Sequence, residues 1–238
     1  MERRSTGTVV GLDMGVTHTA AMSDGQFLDM SELLSKGEKQ RKRRLQRKLA
    51  RQTKGSNRKS RTKLAIAKIS TREKDRRKDW IEKTTIDLVR SYDLIVLEDL
   101  KIKNMTKSAK GTVESPGKNV RQKAGLNRSI LAQSWGLFRK RLTDKATNAT
   151  VPVEIITINP AYTSLRCSEC GHTDKENRKS QAVFCCKACD YTGNADLNAA
   201  KNILAAEHAV SGRGGTSQAK PDRVKHSDPT KRQPARAA

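Results

Sequence analysis

Aromatic side chains are scarce, at 3% of 238 residues, and hydrophobic residues of every kind reach only 34%. No stretch approaches the roughly 20 apolar residues of a membrane-spanning helix, which excludes a helical membrane protein. The N-terminal MERRSTGTVVGLDMGV runs straight into a strand-like segment without the apolar core of a signal peptide. A cytoplasmic location is therefore the expectation. Acids are scarce too: 25 Asp and Glu stand against 49 Lys and Arg, for a formal charge of +24. That excess goes far beyond what solubility asks for and points to a polyanionic partner. The five cysteines are odd in number and confined to residues 167–189. Such clustering argues against a disulfide framework and for metal binding. The length suits one ordinary domain with a small module or tail.

Positive charge, the property present in excess, is concentrated. Residues 38–83 hold 20 Lys and Arg against 5 Asp and Glu, a net of +15, leaving +9 for the other 192 residues. Leu45, Leu49, Leu64, Ala67, Trp80 and Ile81 follow helical spacing, and Gly55-Ser56-Asn57 interrupts them. The pattern predicts two basic helices joined by a turn, an αα-hairpin ending near Ser91. A short charge run is normally a solvated face. A four-to-one imbalance sustained over this length instead repels itself until anions neutralise it, which indicates contact with nucleic-acid phosphates. The candidate contacts are Arg41, Lys42, Arg43, Arg44, Arg47, Lys48, Arg51, Lys54, Arg58 and Lys59. Base stacking should matter little here, because Trp80 is the segment's one aromatic.

The flanking sequence has an α/β pattern. TVVGLDMG (8–15), HTAAMS (18–23) and QFLDM (26–30) read as three hairpin-connected strands, with Asp24-Gly25 as a turn. YDLIVLEDL (92–100) is a continuous apolar run typical of a strand buried on both faces. A loop is predicted over 106–125. One amphipathic helix is predicted over 126–146, with Leu131, Trp135, Phe138 and Leu142 on its apolar face. VPVEIITI (151–158) reads as a strand and 196–208 as a helix. The boundaries that follow are strands in 1–35, basic hairpin 36–91, continuation of the sheet domain 92–162, cysteine module 163–193, last helix 194–209, and a disordered tail 210–238.

Cys167-x-x-Cys170 and Cys186-x-x-Cys189 are two knuckles separated by 15 residues. Four thiolates at this spacing can close a tetrahedron around one structural Zn²⁺, leaving no open position for chemistry. Cys185 is left over, because using it in place of Cys186 would lengthen the second pair's spacing. His172 flanks the first knuckle and is the weaker ligand candidate.

Three acids carry the chemical interest. Asp13 lies in the first strand, Glu98 near the end of the buried strand, and Asp196 opens the last helix. Each alone has a plain reading, since an Asp after an apolar run often ends a strand and Asp196 could cap its helix. Converging without a cation, the three would repel and at least one would gain a proton. With two Mg²⁺ ions about 4 Å apart, the same repulsion becomes binding energy and suits phosphoryl transfer.

The order strand-Asp, strand-Glu, helix-Asp resembles that of the TnpB family, the OrfB-type transposon-associated proteins related to type V CRISPR effectors. The matching segments are VVGLDMGVTHTAAMSDG (9–25), RRLQRKLARQTKGSNR (43–58), DRRKDWIEK (75–83), LIVLEDLKIKNM (94–105), NPAYTSLRCSECGH (159–172) and FCCKACDYTGNADLNAAKNI (184–203). The resemblance implies an α/β fold: an RNase H-like (RuvC-like) mixed sheet with an inserted basic helical hairpin and a small zinc ribbon. It implies Asp13, Glu98 and Asp196 as nuclease acids holding two Mg²⁺ or Mn²⁺ ions, and Cys167, Cys170, Cys186 and Cys189 as zinc ligands. It further implies a metal-dependent DNA endonuclease directed by a guide RNA. Family members usually carry a longer N-terminal region, so the expectation is the catalytic half alone: a natural short form, a split protein with a separately encoded N-terminal half, or a fragment. The rival expectation is a non-cleaving nucleic-acid binder, a guided repressor or transposition accessory factor. The four His, at 18, 172, 208 and 226, are scattered and do not resemble the paired arrangement of tyrosine transposases.

Overall fold

The computed structural model describes residues 2–30 and 32–211, so most of the tail expected to be disordered, from 212 onward, lies outside the described residues. Five strands, β1 (Val9–Met14), β2 (Ala20–Met22), β3 (Phe27–Leu28), β4 (Leu94–Glu98) and β5 (Glu154–Ile158), form one sheet in the order β3-β2-β1-β4-β5. The first three make an antiparallel meander, and β4 and β5 run parallel to β1. This is the expected mixed sheet. The chain enters it through a clasp: the buried Arg3 side chain donates to Val151 O at 3.1 Å and to the Asp93 carboxylate, which also accepts from Gly7 N at 2.7 Å.

Side chains alternate along each strand. Val10, Leu12, Ile95 and Leu97 therefore share one face, packed into the main core, while Gly11, Asp13, Val96 and Glu98 face the other way. The main core is covered by α2 (Asn57–Ser91) and α5 (Trp135–Thr147), which contribute Ile81, Leu88, Val89, Phe138 and Leu142. Glu82 of α2 ties the two helices together, accepting from Arg141 Nε and Lys145 Nζ, each at 2.6 Å. Those donors hold its carboxyl down at about 2. The second face is covered by α6 (Ala195–Ser211), whose Ile203 packs with Val96 and Ile158.

The basic hairpin forms as expected. α1 (Lys36–Ala50) starts on a capping box between Ser35 and Glu38 and buries no side chain. At 35 residues α2 is about 52 Å long. Its C-terminal third carries the core contacts, while its first six turns bury only Thr62 and Ile69. The hairpin therefore projects from the sheet domain.

The single helix expected over 126–146 is two. α4 (Val120–Gln133) starts six residues earlier, shortening the predicted loop, and ends where Ser134 adopts φ 56° in the left-handed region. The break takes Leu131 out of the apolar face: it is 59% exposed, while Trp135, Phe138 and Leu142 are buried. A short helix, α3 (Ile102–Met105), also interrupts the region after β4.

The approach of α6 to β1 is backbone to backbone. A Cβ at Gly11 would meet Ala200 O at 2.4 Å and Leu204 N at 2.8 Å. Gly11→Ala should lower stability by about 1–3 kcal/mol, the ordinary penalty for overpacking. Urea unfolding followed by circular dichroism measures this, and an unchanged midpoint would mean that the helix shifts freely.

Candidate functional site

Alternation and register bring two of the acids together. Asp13 and Glu98 each follow the last paired positions of neighbouring parallel strands, Leu12 and Leu97, on the face that α6 covers. The third comes from α6. Ala200 and Leu204, which sit over Gly11, lie about one and two turns beyond Asp196. Four helical residues rise about 6 Å and two strand residues about 6.6 Å, so the helix that rests on Gly11 carries Asp196 to the level of Asp13. All three line one cavity of about 340 Å³ at the C-terminal ends of β1 and β4, with Thr163, Arg178 and Trp135 in its wall.

The carboxylates feel one another. Burial first, then the charges of Glu98 and Asp196, raise Asp13 from 3.8 to about 7, and Arg178 works in the opposite direction. Burial raises Glu98 as well, against a hydrogen bond of 2.5 Å donated by Thr163 Oγ1. Arg178 Nη2 donates to Asp196 Oδ1 at 3.3 Å, bringing a cation into the acid cavity. Among the described residues, no group of acids meets within the mutual 4.8 Å reached by the four thiols. Crowded, partly buried carboxylates with an elevated pKa are a donor set suited to a hard divalent cation.

Sequence reasoning missed the residues that hold these acids. Asp196 does not cap its helix: Asn194 Oδ1 accepts from Asp196 N and Leu197 N at 2.9 and 3.0 Å, leaving the Asp196 carboxylate to Arg178 and the cavity. The buried Asn198 and Asn202, one turn apart, donate to Arg166 O at 2.7 and 2.6 Å, and Asn202 also donates to Thr163 O at 2.9 Å. They pin the segment that delivers Thr163 to Glu98. Their i, i+4 spacing in DLNAAKN was the available signal. Arg178, between the two knuckles, offered none.

The four expected cysteines converge. Cys167 and Cys189 Sγ lie 3.7 Å apart and Cys170 and Cys186 Sγ 3.6 Å apart, with all four within 4.8 Å of one another. Each knuckle turns back tightly, with Gly171 N donating to Cys167 O at 3.0 Å and Cys186 N to Tyr191 O at 2.8 Å. A backbone N–H from Tyr191 works to lower the Cys189 thiol, but the neighbouring thiols and burial outweigh it and push it up to about 12. Four thiols so placed can all ionise only around a cation, so the set fits tetrahedral Zn²⁺. Cys185 lies outside the group, paired through its backbone with Thr192 where β6 (Val183–Cys185) meets β7 (Thr192–Asn194). The ring of His172 is outside it too.

The hairpin cations divide by role. Arg44, Arg47, Lys48, Arg51 and Arg58 line a concavity of about 620 Å³ that no carboxylate borders. Arg41 joins Arg61, Lys68 and Arg72 on a second patch. Lys42 is engaged with Glu73 at 2.6 Å, and Lys59 donates to Gln52 O at 2.9 Å. Arg43 lines a mixed groove beside Lys42 and Glu73, and Lys54 lies in the turn between α1 and α2.

A family model of the OrfB type, described as "Probable transposase", matches residues 2–109, and one described as "Cas12f1-like, TNB domain" matches 135–203. The chain is 45% identical over 205 residues to the "Putative RNA-guided DNA endonuclease InsQ" of Escherichia coli (strain K12), covering 86% of this chain and 50% of that one. The expected resemblance to the TnpB family is borne out, the two models together spanning most of the chain. The chain is also 29% identical over 211 residues to a "Putative RNA-guided DNA endonuclease" of Streptomyces pristinaespiralis, covering 88% of this chain and 48% of that one. Thus it spans about half the length of these curated relatives. The fold matches that in a cryo-EM structure of a Cas12f1-sgRNA-target DNA complex, with TM-score 0.55 and 18% identity over 86% of this chain and 51% of that one. No helix among the described residues is long and apolar enough to cross a membrane.

Two measurements test this geometry. The folded-state pKa of Asp13 lies above its unfolded value, so the folded protein binds the extra proton and stability falls as pH rises from about 4 to about 7. Without divalent ions at pH 8, Asp13→Asn should therefore raise stability, by up to about 4 kcal/mol, and have little effect near pH 4. Urea unfolding at both pH values decides, and a loss of stability at pH 8 would contradict the crowding. Cys167→Ser should release about one zinc per chain and abolish hydrogen-exchange protection in 163–193 while that of β1 and β4 persists. Protection surviving in chelator would contradict the zinc assignment.

Proposed function

We propose that this chain is the catalytic part of a transposon-associated, RNA-guided DNA endonuclease, with Asp13, Glu98 and Asp196 as its catalytic carboxylates. The observation that carries this reading is the shared cavity, which acids from β1, β4 and α6 all line and in which burial, with the charges of Glu98 and Asp196, lifts Asp13 to about 7. The names of the InsQ and Cas12f1 relatives support it. In this reading 1–35, 92–162 and 194–209 form the nuclease domain, 36–91 grips nucleic acid, and 163–193 is a ribbon around one structural zinc.

Divalent ions, Mg²⁺ or Mn²⁺, held by Asp13 with Asp196 and by Asp13 with Glu98, would supply Lewis acidity to both the attacking water and the departing 3′-oxygen in a two-metal hydrolysis. The products carry a 5′-phosphate and a 3′-hydroxyl. Asp13 is shared and acts as the ionised carboxylate; because the metal-free centre holds a proton there up to about 7, affinity for divalent ions should rise as pH climbs through that value. Thr163 holds Oε1 of Glu98 and leaves the other oxygen to the cavity. Arg178 balances the acidic charge and, once released from Asp196, can reach a non-bridging phosphate oxygen. The cations of the hairpin hold the DNA strand and guide RNA by their backbones, giving salt-dependent and sequence-indifferent affinity.

The test is cleavage of labelled single-stranded DNA by the zinc-loaded protein with its guide RNA, with and without Mg²⁺. Asp13→Ala or Glu98→Ala removes several kcal/mol of transition-state stabilisation, a rate loss of about a thousandfold or more, and should leave DNA affinity intact. A wild-type protein that binds DNA and never cuts it in Mg²⁺ or Mn²⁺ overturns the reading and leaves a non-cleaving binder.

A further inference from the structure

Tyr162 has features that packing does not explain. The residue is 68% exposed, the most exposed aromatic among the described residues. Its backbone sits at φ 67°, in the left-handed region where a bulky residue is an outlier. The local turn sets that conformation: Tyr162 O accepts from both Leu165 N and Arg166 N at 3.0 Å, folding the chain back so that Thr163 reaches Glu98. Glycine would satisfy the same turn without strain. A tyrosine is thus held in a strained conformation with its ring in solvent, flanked by Pro160 and Thr163, which line the acid cavity. Strain that no burial offsets is a mark of functional sites.

We infer that Tyr162 is a stacking platform for an unpaired base of the DNA strand, next to the phosphodiester held in the acid cavity. This rests on the nuclease reading above. The chemistry fits the division of labour in the chain. The hairpin is rich in cations and poor in aromatics, so it can hold phosphates but offers bases no surface. An exposed tyrosine next to the cavity-lining Thr163 supplies that surface. Stacking is tolerant of sequence, since every base has a π-face, and so suits a site that cuts whatever strand is delivered to it. A base stacked on the ring fixes the register of the neighbouring phosphate against the three acids, making Tyr162 a positioning residue.

Binding of labelled oligodeoxythymidine to zinc-loaded protein, without added divalent ions so that nothing is cut, measures the contact. Tyr162→Ala should weaken binding about 5- to 150-fold, the loss of one stacked base. The slope of affinity against salt should not change, because stacking releases no counterions. Fluorescence of a 2-aminopurine-containing strand should be quenched by wild type and by Tyr162→Phe but not by Tyr162→Ala. Tyr162→Gly separates function from packing: relieving the backbone should raise the Tm by a few degrees while binding weakens as for Ala. Wild-type affinity and quenching in Tyr162→Ala overturn the platform, as does a lowered Tm in Tyr162→Gly. A dependence on Tyr162 seen with an oligoribonucleotide of the same length but not with DNA also overturns it. The two readings fail separately. A chain that stacks DNA on Tyr162 and never cuts overturns the nuclease, whereas one that cuts and loses nothing in Tyr162→Ala overturns the platform.

Discussion

The direct seating of α6 on β1 is the constraint on which the site depends. Only a glycine lets the carbonyl of Ala200 and the amide of Leu204 come so close to the strand. Because helix and strand advance by similar distances over four and two residues, that one contact also determines what lies a turn away. Asp196 arrives over Asp13, and Glu98 is already beside Asp13 on the next parallel strand. Asn194, Asn198 and Asn202 keep the start of the same helix fixed to its surroundings. A helix seated even one residue out of register would carry Asp196 away from the cavity.

Charge is distributed to make this work in a chain of net +24. The cations are gathered on a hairpin that projects from the domain, while the acids converge where the strands end. Two carboxylates there are driven up, Asp13 by burial and its charged neighbours and Glu98 by burial, and the segment between the knuckles answers with Arg178. The ribbon is therefore more than a separate platform. Its four clustered thiols bracket the segment whose Arg178 reaches into the acid cavity.

Much of this was legible in the residues. Two Cys-x-x-Cys pairs leave few geometries open, and the four thiols meet as their spacing implies. A basic run with sparse, helically spaced leucines has no stable form except a projecting hairpin, and α1 and α2 form one. The 126–146 segment misled because Leu131 falls in phase with Trp135, Phe138 and Leu142. Apolar periodicity cannot register a single left-handed serine that ends one helix and starts another. Arg178 and Thr163 were invisible for a different reason. An arginine in a ribbon and a threonine in a turn are unremarkable until the fold shows which carboxylates they touch.

Local chemistry along the chain was thus determined by sequence alone: which residues can ligate zinc, which segment repels itself without phosphates, and which acids interrupt apolar runs. These are properties of residue type and spacing, and they hold in any compact arrangement. Tertiary structure alone decided that acids from β1, β4 and α6 share one cavity, that Arg178 enters it, and that Tyr162 stands exposed beside Thr163, which lines it. Those outcomes rest on strand register and helix seating, which are set by long-range packing between residues as far apart in sequence as Gly11 and Ala200, a separation over which no local periodicity carries information.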